Sequence, residues 1–260
     1  MPESELIDNS ILVNRYLPEP DSTSGRTILI TGAAGGLGSA IARQAAKLGA
    51  ELVLLDNNQS RLNQLHDELE TELNKQPGLY PLDLRGANTD DYNQLAGTIE
   101  DVFKGLHGIV HCAATLGQIS PIDQTDAKMW QETFTTNLHA PLLLTQALLP
   151  LMKTTGNGGI VFTTDSKNSA YWGAYGISKS SLVSAMRIIA DELDTAAGTG
   201  GNIPVTCNAV NPGPMRTNLR SSAYPGEEPG SIAPPEDKVA AYLYLLSDLS
   251  KSINGTLIEL

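Results

Sequence analysis

A glycine-rich turn constrains the fold of this chain more than any other feature. It reads Thr-Gly-Ala-Ala-Gly-Gly-Leu-Gly over residues 31–38, after the apolar run 27–30 and before the alanine-rich amphipathic stretch 39–48. This order predicts a strand, a tight turn and a helix. Glycines suit such a turn when a pyrophosphate approaches the N–H groups at the helix N-terminus, because a Cβ would obstruct the approach. A glycine-rich loop alone is a weak signal, so its context matters.

The rest of the chain continues the alternation of strand and helix. Apolar runs predict further strands at 51–56, 78–82, 108–112, 159–164 and 203–210, and amphipathic stretches predict helices between them. Such alternation specifies a doubly wound Rossmann-type α/β fold, a parallel sheet of about seven strands with helices on both faces. A chain of 260 residues with 41% apolar content can form this as one domain, which we expect over residues 25–260.

The first 24 residues predict an N-terminal arm outside the core, because they are acidic and rich in proline. They lack the cationic start and apolar stretch of a signal peptide. The longest apolar segment, 140–152, contains Thr145, Gln146 and Pro150 and is too short to span a membrane. We therefore expect a cytoplasmic protein.

Composition narrows the range of partners. The net charge of −12 and the sequence pI of about 4.7 argue against nucleic acid, and more weakly against acidic carrier proteins. Small molecules fit better. Cys112 and Cys207 lie in apolar runs and are expected to be buried hydrophobic residues rather than a disulfide. The four histidines show no ligand spacing with cysteine or carboxylate, so no metal is implied.

Tyr175 and Lys179 form the strongest candidate for acid–base chemistry. Helical spacing places the lysine ammonium one turn from the phenol on the same helix face. A nearby cation favours the phenolate and should lower the phenol's pKa from its usual value of about 10. By themselves the two residues could be an ordinary solvated pair, and the glycine-rich turn upstream is what favours the catalytic interpretation.

Together, Thr-Gly-x-x-x-Gly-x-Gly at residues 31–38 and Tyr-x-x-x-Lys at 175–179 resemble the short-chain dehydrogenase/reductase family. The resemblance covers about residues 26–260 and, within the family, is greatest to the bacterial YciK-like oxidoreductases. It implies hydride transfer between a nicotinamide cofactor and a secondary alcohol or ketone, in a homodimer or homotetramer. Tyr171, Trp172 and Tyr224 suggest a small hydrophobic substrate, although they could also simply pack the loop or a subunit contact.

The resemblance also implies a set of cofactor-binding residues. They are Gly32, Gly35, Gly36, Leu37, Gly38, Asp56, Asp83, Leu84, Ala113, Pro212, Gly213 and Thr217. Asp56 would accept hydrogen bonds from the adenosine ribose and repel a 2′-phosphate, which favours NAD over NADP. Family members that use NADP usually carry Arg or Lys where this chain has Gly35 and Asn57. Arg61 is interpreted as a surface residue, and Asp83 could equally cap the turn that follows it.

By the same resemblance the catalytic residues are Asn137, Ser166, Tyr175 and Lys179. Strand register places Asp165 where the family has its catalytic serine, but a shortened loop could shift that register. A carboxylate there would raise the phenol's pKa and oppose an alkoxide, so chemistry favours Ser166, and we expect Ser166 at the site. Asp165 leaves a second hypothesis open, a dinucleotide-binding protein that has lost catalysis and acts as a sensor or assembly subunit.

The fourth predicted strand departs from the family as well. It ends in His111-Cys112-Ala113-Ala114, where most members have Asn-Asn-Ala-Gly. The asparagine that ties neighbouring strands together is therefore missing. We expect this departure to alter local geometry more than cofactor binding.

Overall fold

The structure is a computed structural model that describes residues 16–197 and 205–260. A single seven-stranded parallel sheet runs through it in the order β3-β2-β1-β4-β5-β6-β7. The strands are β1 (Thr27–Thr31), β2 (Glu51–Asp56), β3 (Gly78–Pro81), β4 (Gly108–His111), β5 (Gly158–Thr163), β6 (Val205–Asn211) and β7 (Leu257–Glu259). The predicted doubly wound Rossmann-type fold is confirmed.

Helices cover both faces of the sheet. They are α1 (Gly36–Lys47), α2 (Gln59–Leu73), α3 (Thr89–Phe103), α4 (Ala127–Phe134), α5 (Ala140–Thr155), α6 (Gly173–Ala197), α7 (Asn218–Ala223) and α8 (Val239–Leu245). Short 3-10 turns occur at Ile122–Gln124, Pro229–Ser231, Pro235–Lys238 and Asp248–Ser250. Among the described residues, no helix is both long and apolar enough to cross a membrane.

The central strands are largely apolar because the sheet is buried on both sides. All five residues of β1 are buried. Ile28 and Ile30 pack into the hydrophobic cluster on one face, whereas Leu29 packs into the cluster on the other. Alternating side chains of a strand point to opposite faces, so a strand covered by helices on both sides needs a continuous apolar run.

The helical segment predicted between the strands at 108–112 and 159–164 is interrupted. A π-helical turn, Thr135–His139, joins α4 to α5 and contains Asn137. Single π turns inside α-helices occur frequently at functional sites. The helical periodicity of the sequence continues across this turn, so the pattern could not reveal it.

The ends of the chain differ from expectation in two places. β7 has only three residues, too few for a periodic pattern to indicate it. Residues 1–15 of the predicted arm lie outside the described residues, but the remainder of the arm packs on the domain. The Thr23 side chain is buried, and its hydroxyl donates to the carbonyls of Ala45 and Leu48 at 3.1 and 2.9 Å. Part of the predicted arm, around Thr23, is therefore in contact with the domain.

The strand order creates the crevice in which the site lies. β1 pairs with β2 on one side and with β4 on the other, and the chain winds outward from β1 in opposite directions. The loops that follow β1 and β4 therefore separate at the carboxyl ends of these strands. In open α/β sheets, ligands bind at this switch point.

Candidate active site

A cleft of about 560 Å³ opens at the carboxyl ends of the strands. Every residue predicted for the cofactor or for catalysis lines it, with the exception of Asn137. The lining residues from that prediction are Gly32, Gly35, Gly36, Leu37, Gly38, Asp56, Asp83, Leu84, Ala113, Ser166, Tyr175, Lys179, Pro212, Gly213 and Thr217. The tertiary structure thus brings together residues from the carboxyl ends of six strands and from the segments that follow them.

The glycine-rich turn forms a cradle that leaves no room for side chains. Gly32 has φ of +64°, and a Cβ on it would lie 2.7 Å from the Cα of Ala113. A Cβ on Gly38 would lie 2.3 Å from the carbonyl oxygen of Gly32. The first N–H groups of α1 have no partner within the helix and begin at this cradle. The cradle therefore fits the pyrophosphate of a dinucleotide, whose negative charge helix N-termini favour.

Asp56 is fixed at the end of β2 by two backbone groups. Its Oδ2 accepts a hydrogen bond from the Ala34 N–H at 3.0 Å, and its Oδ1 accepts one from the Asn58 N–H at 2.9 Å. Each carboxylate oxygen has a further lone pair that can accept a ligand hydroxyl. The carboxylate is thereby held against the glycine-rich turn, on the wall of the cleft.

The Asp83 carboxylate forms an ion pair with Arg85, a cleft residue that was not predicted from the sequence. Arg85 donates to Asp83 at 2.7 Å, and this bond lowers the pKa of the Asp83 carboxyl. Arg85 also lines the cleft, as does the exposed Arg61. The sequence did contain a signal for this pair. Arg85 is two positions after Asp83, which places the cation at the turn that Asp83 begins.

Lys179 is buried at the base of the cleft and anchored to β5. Its ammonium donates to the carbonyl oxygen of Thr163 at 2.9 Å. Burial is the main cause that lowers the pKa of Lys179, to about 8, while the nearby Cys112 and Asp165 act in the opposite direction. The lysine thus holds a positive charge inside the protein that can be lost slightly above neutral pH.

Tyr175 is hydrogen-bonded to Asp165. The phenol hydroxyl donates to Asp165 Oδ2 at 3.1 Å, and the tyrosine side chain is almost completely buried. Burial raises the pKa of Tyr175 strongly, and the negative charge of Asp165 together with this hydrogen bond raises it further. The expectation that Lys179 would lower the pKa is therefore wrong for this structure, because burial and the carboxylate dominate.

The structure also corrects the expectation that Ser166 would face the phenol. Ser166 is exposed, and its hydroxyl accepts a hydrogen bond from the Asn211 side chain at 3.3 Å. The residue before Asp165 holds the register, because the Thr164 N–H donates to the Val210 carbonyl at 2.8 Å and continues the pairing with β6. The shortened loop does not shift this register, so Asp165 reaches Tyr175.

Asn137 lies behind the cleft wall, in the π-helical turn. Its side-chain carbonyl accepts from the Thr115 N–H at 2.8 Å, and its amide donates to the Thr115 carbonyl at 2.9 Å and to Ser178 at 3.2 Å. These bonds tie the loop after β4 to α6. The Asn137 side chain thus connects neighbouring elements, and its neighbour Thr136 lines the cleft instead.

The unusual end of β4 is accommodated by packing. His111 stacks on Phe162 with ring centroids 4.8 Å apart, and its Nε2 lies 2.9 Å from the Thr145 hydroxyl. Burial lowers the pKa of His111 to about 3 and raises the pKa of the Cys112 thiol to about 12. Both side chains are uncharged near neutral pH, and Cys112 lines the cleft.

Aromatic and cationic side chains form the mouth of the cleft. The rings of Trp172 and Tyr224 are 5.8 Å apart, and the Lys167 ammonium lies 5.2 Å from the Trp172 ring centre. The guanidinium of Arg220 lies 3.8 Å from the Tyr224 ring centre and donates to both carboxylate oxygens of Glu227. The segment after β6 is thereby attached to the loop after β5 by aromatic and cation–π contacts.

Comparisons with known proteins agree with this geometry. The short chain dehydrogenase family matches residues 26–228. The oxidoreductase YciK of Escherichia coli K12 is 35% identical over 243 residues, which cover 92% of this chain and 93% of that protein. The structure of a short chain dehydrogenase from Pseudomonas syringae has a TM-score of 0.89 and 38% identity, covering 94% of this chain and 98% of its own.

A short chain dehydrogenase from Escherichia coli CFT073, solved in complex with NADPH, has a TM-score of 0.87 and 35% identity. The match covers 93% of this chain and 99% of that chain. The predicted resemblance is thus confirmed by sequence and by structure. With its glycine cradle and its Tyr-x-x-x-Lys helix in one cleft, this chain belongs to the short chain dehydrogenase family of oxidoreductases.

Proposed function

We propose that this protein is an NAD-dependent oxidoreductase that interconverts a secondary alcohol and a ketone on a small hydrophobic substrate. The observation that carries the proposal is the position of Tyr175 and Lys179 in the same cleft as the glycine cradle. The bound dinucleotide would supply hydride chemistry that the side chains cannot provide. Trp172 and Tyr224 at the mouth favour a substrate with an apolar or aromatic surface.

Individual roles follow from the contacts of the side chains. The N–H groups at the start of α1 would bind the pyrophosphate, and Pro212, Gly213 and Thr217 would bind the nicotinamide carboxamide. Tyr175 would exchange a proton with the substrate oxygen, while Lys179 contributes a buried positive charge. Asn137 would support proton transfer indirectly, because its side chain holds Thr115 and Ser178 in place.

The proposed preference for NAD rests on Asp56. Its carboxylate is held at the end of β2 by the N–H groups of Ala34 and Asn58, where it can accept ribose hydroxyls and would repel a 2′-phosphate. The related Escherichia coli protein was solved with NADPH, so relatives of this chain can bind the phosphorylated cofactor. Arg61 and Arg85 line the cleft on the same side, and Arg85 is engaged by Asp83.

We further propose a cytoplasmic homodimer or homotetramer. Among the described residues, α5 and α6 present exposed apolar side chains at Leu143, Ile177 and Ile188. Pairing of these helices between two copies would cover them. Exposed apolar surface of this kind is typical of interaction sites.

A second function is favoured by the hydrogen bond between Tyr175 and Asp165. A carboxylate in this position opposes the negative charge that develops on a ketone oxygen during reduction. The protein would then bind the dinucleotide without turnover and act as a sensor or assembly subunit. In that case, Asp165→Ser should create ketone reductase activity that the unaltered chain lacks.

Binding and turnover should be measured separately to test the proposal. Calorimetry with NADH measures binding, and oxidation of NADH with acetophenone and cyclohexanone measures reduction. Tyr175→Phe should abolish turnover and leave NADH affinity nearly unchanged, because the phenol is proposed to act on the substrate. Tyr244→Phe removes a phenol whose hydroxyl contacts the Leu249 carbonyl, outside the cleft, and is the matched control.

The outcomes separate the two functions. Turnover that depends on Tyr175 supports the oxidoreductase. NADH binding without turnover, with activity gained in Asp165→Ser, supports the binding protein. Full turnover in Tyr175→Phe would contradict the proposed mechanism, and failure to bind either NADH or NADPH would contradict both functions.

A further inference from the structure

We propose that Asp165 is the terminal proton acceptor of this site, and that Tyr175 and Asp165 act together as a proton-sharing pair. The inference rests on the proposed function, because it concerns the proton released when a substrate alcohol is oxidised. It gives Asp165 a catalytic function in the place where the family has a serine.

Geometry supports the pair directly. The Tyr175 hydroxyl donates to Asp165 Oδ2 at 3.1 Å. Among the residues that the structure describes, it makes no other side-chain hydrogen bond, and Asp165 Oδ1 accepts none. Asp165 is half-buried and lines the cleft, whereas Tyr175 is 6% exposed. Of the two side chains, Asp165 is therefore the one that can exchange a proton with water.

The alternative route through Lys179 is less direct in this structure. The Lys179 ammonium donates to the Thr163 carbonyl at 2.9 Å, away from the phenol. The Asn137 side chain is held by both backbone groups of Thr115. Within the described contacts, neither side chain is hydrogen-bonded to the Tyr175 hydroxyl. Asp165 is thus the partner to which the phenol proton is already directed.

The electrostatics of the phenol point to the same conclusion. Burial and the Asp165 carboxylate both raise the pKa of Tyr175, so a free phenolate is costly in this position. A phenol that gives its own proton to Asp165 while it accepts the substrate proton never becomes a phenolate. Proton transfer along such a hydrogen-bonded pair avoids the cost of charge separation in a buried site.

The carbinol carbon loses a hydride to the oxidised nicotinamide, and the electron pair of the breaking O–H bond forms the carbonyl bond. The hydroxyl proton moves to the Tyr175 oxygen as the phenol proton moves to Asp165 Oδ2. The alcohol is oxidised, the nicotinamide is reduced, and the neutral Asp165 then releases the proton to water. Ketone reduction uses the same path in reverse.

The charged groups around Asp165 come from three elements. Lys179 on α6 and Arg220 on α7 both interact with the carboxylate through space, and Lys167 lies two residues away on the same loop. Glu227 accepts two hydrogen bonds from Arg220, and its negative charge offsets the positive charge of the guanidinium. Two other titratable groups near the site, the Cys112 thiol and the Tyr224 phenol, add no positive charge. The positive charges of Lys167, Lys179 and Arg220 outnumber the negative charge of Glu227, and this surplus suits a carboxylate that must be regenerated after each turnover.

Oxidation of 1-phenylethanol with NAD should be followed in four chains from about pH 5.5 to about pH 7.5, below the pKa of about 8 at which Lys179 loses its charge. In the unaltered chain, kcat/KM should be nearly independent of pH across this range, because the pair needs no phenolate. Asp165→Asn keeps an acceptor for the phenol but cannot take its proton, so kcat/KM near neutral pH should fall by about a hundredfold. Asp165→Ser should show a rate that rises about tenfold per pH unit, as expected when a phenolate is required. Asp123→Asn, on an exposed 3-10 turn, is the matched carboxylate control.

A measurement without catalysis tests the pair independently. Tyrosine labelled with ¹³C at Cζ reports phenol ionisation by NMR, and Tyr175→Phe assigns the signal. The pKa of Tyr175 should fall in Asp165→Asn, since the negative charge is removed while the burial is kept. It should stay unchanged in Asp123→Asn.

Each result supports or overturns the inference. A pH profile shared by the unaltered chain and Asp165→Ser overturns it, as does a Tyr175 titration that Asp165→Asn does not move. If no alcohol is turned over but the titration moves as expected, the pairing is supported and the proposed reaction fails. If turnover depends on Tyr175 but not on Asp165, the proposed function holds and the inference fails.

Discussion

The carbonyl oxygen of Lys167 lies where a side chain on Gly176 would begin: a Cβ built on Gly176 would be 2.0 Å from it. This contact seats the short loop that follows β5 directly on the first turn of α6. Tyr171 in the same loop has φ of +75°, a conformation that non-glycine residues rarely adopt. The loop that carries Asp165 to Tyr175 is therefore held in place by a glycine on the helix.

Replacing Gly176 should consequently disturb both stability and the Tyr175–Asp165 contact. Gly176→Ala should lower the free energy of unfolding by about 1–3 kcal/mol, because the added carbon overlaps backbone atoms that cannot move independently. Chemical denaturation measures the change. Gly97→Ala is the control: Gly97 lies exposed inside α3 with open space around it, so alanine should stabilise the protein by about 0.5–1 kcal/mol. Equal stabilisation by both substitutions would contradict the close contact.

Asp56 should determine the choice between NAD and NADP. Asp56→Asn removes the negative charge but keeps an oxygen that can accept from a backbone N–H, so the preference for NAD should fall by about tenfold or more. Calorimetry with NAD and NADP on both chains gives the ratio. Asp67→Asn, at an exposed position of α2, is a control with the same change in net charge. Tighter binding of NADP than NAD by the unaltered chain would show that Arg61 and Arg85 outweigh Asp56.

His111 should make the protein sensitive to acid. Burial lowers its pKa to about 3 in the folded state from 6.5, so the unfolded state binds a proton that the folded state does not across this range. The free energy of unfolding should therefore decrease as the pH falls below about 6.5, by at most about 1.4 kcal/mol per pH unit from this residue.

His111→Asn should reduce that slope, as measured by urea denaturation between about pH 4 and about pH 7. His139→Asn, which replaces an exposed histidine, is the control. The substitution at His111 will also change stability at neutral pH, because it removes the stacking on Phe162 and the bond to Thr145. The slope is therefore the informative quantity, and equal slopes for both variants would show that His111 is not buried in its neutral form.

The contact between Arg220 and Glu227 should affect substrate binding more than the chemical step. Arg220 donates to both carboxylate oxygens and covers the ring of Tyr224. Arg220→Lys keeps the charge but loses the paired geometry and the stacking, so KM should rise several-fold while kcat changes little. Steady-state kinetics measure this difference. Arg187→Lys, on the exposed side of α6, is the control. A fall in kcat with an unchanged KM would be contrary to this assignment.

The local pattern of the sequence was sufficient to predict the fold and the glycine cradle, whereas most of the other cleft residues were predicted from the family resemblance. Apolar runs bounded by turns predicted six of the strands, because buried parallel strands need continuous apolar residues. The glycines at 32 and 38 were predictable for a similar reason: close backbone approaches allow no side chain there, and the structure places backbone atoms within 2.7 and 2.3 Å of a Cβ at these positions. Asp56 at the end of β2 followed from the same strand pattern.

Three features depended on contacts between residues far apart in the chain. The choice between Asp165 and Ser166 was decided by the pairing of Thr164 with Val210 and by the contact of Lys167 with Gly176. The direction of the Tyr175 pKa shift depended on how deeply α6 buries the phenol and on which carboxylate reaches it. The pairing of Arg220 with Glu227 required the segment after β6 to fold back over the cleft.

The sequence by itself thus determined the Rossmann-type architecture, the glycine cradle and the Tyr175–Lys179 helix, because each depends on periodicity or on steric limits within a short segment. Only the tertiary structure decided the electrostatics of the reacting centre. The burial of the Tyr175 phenol and the charge around it depend on residues contributed by β5, β6 and α6. No local pattern of the sequence specifies the distances from these residues to the phenol.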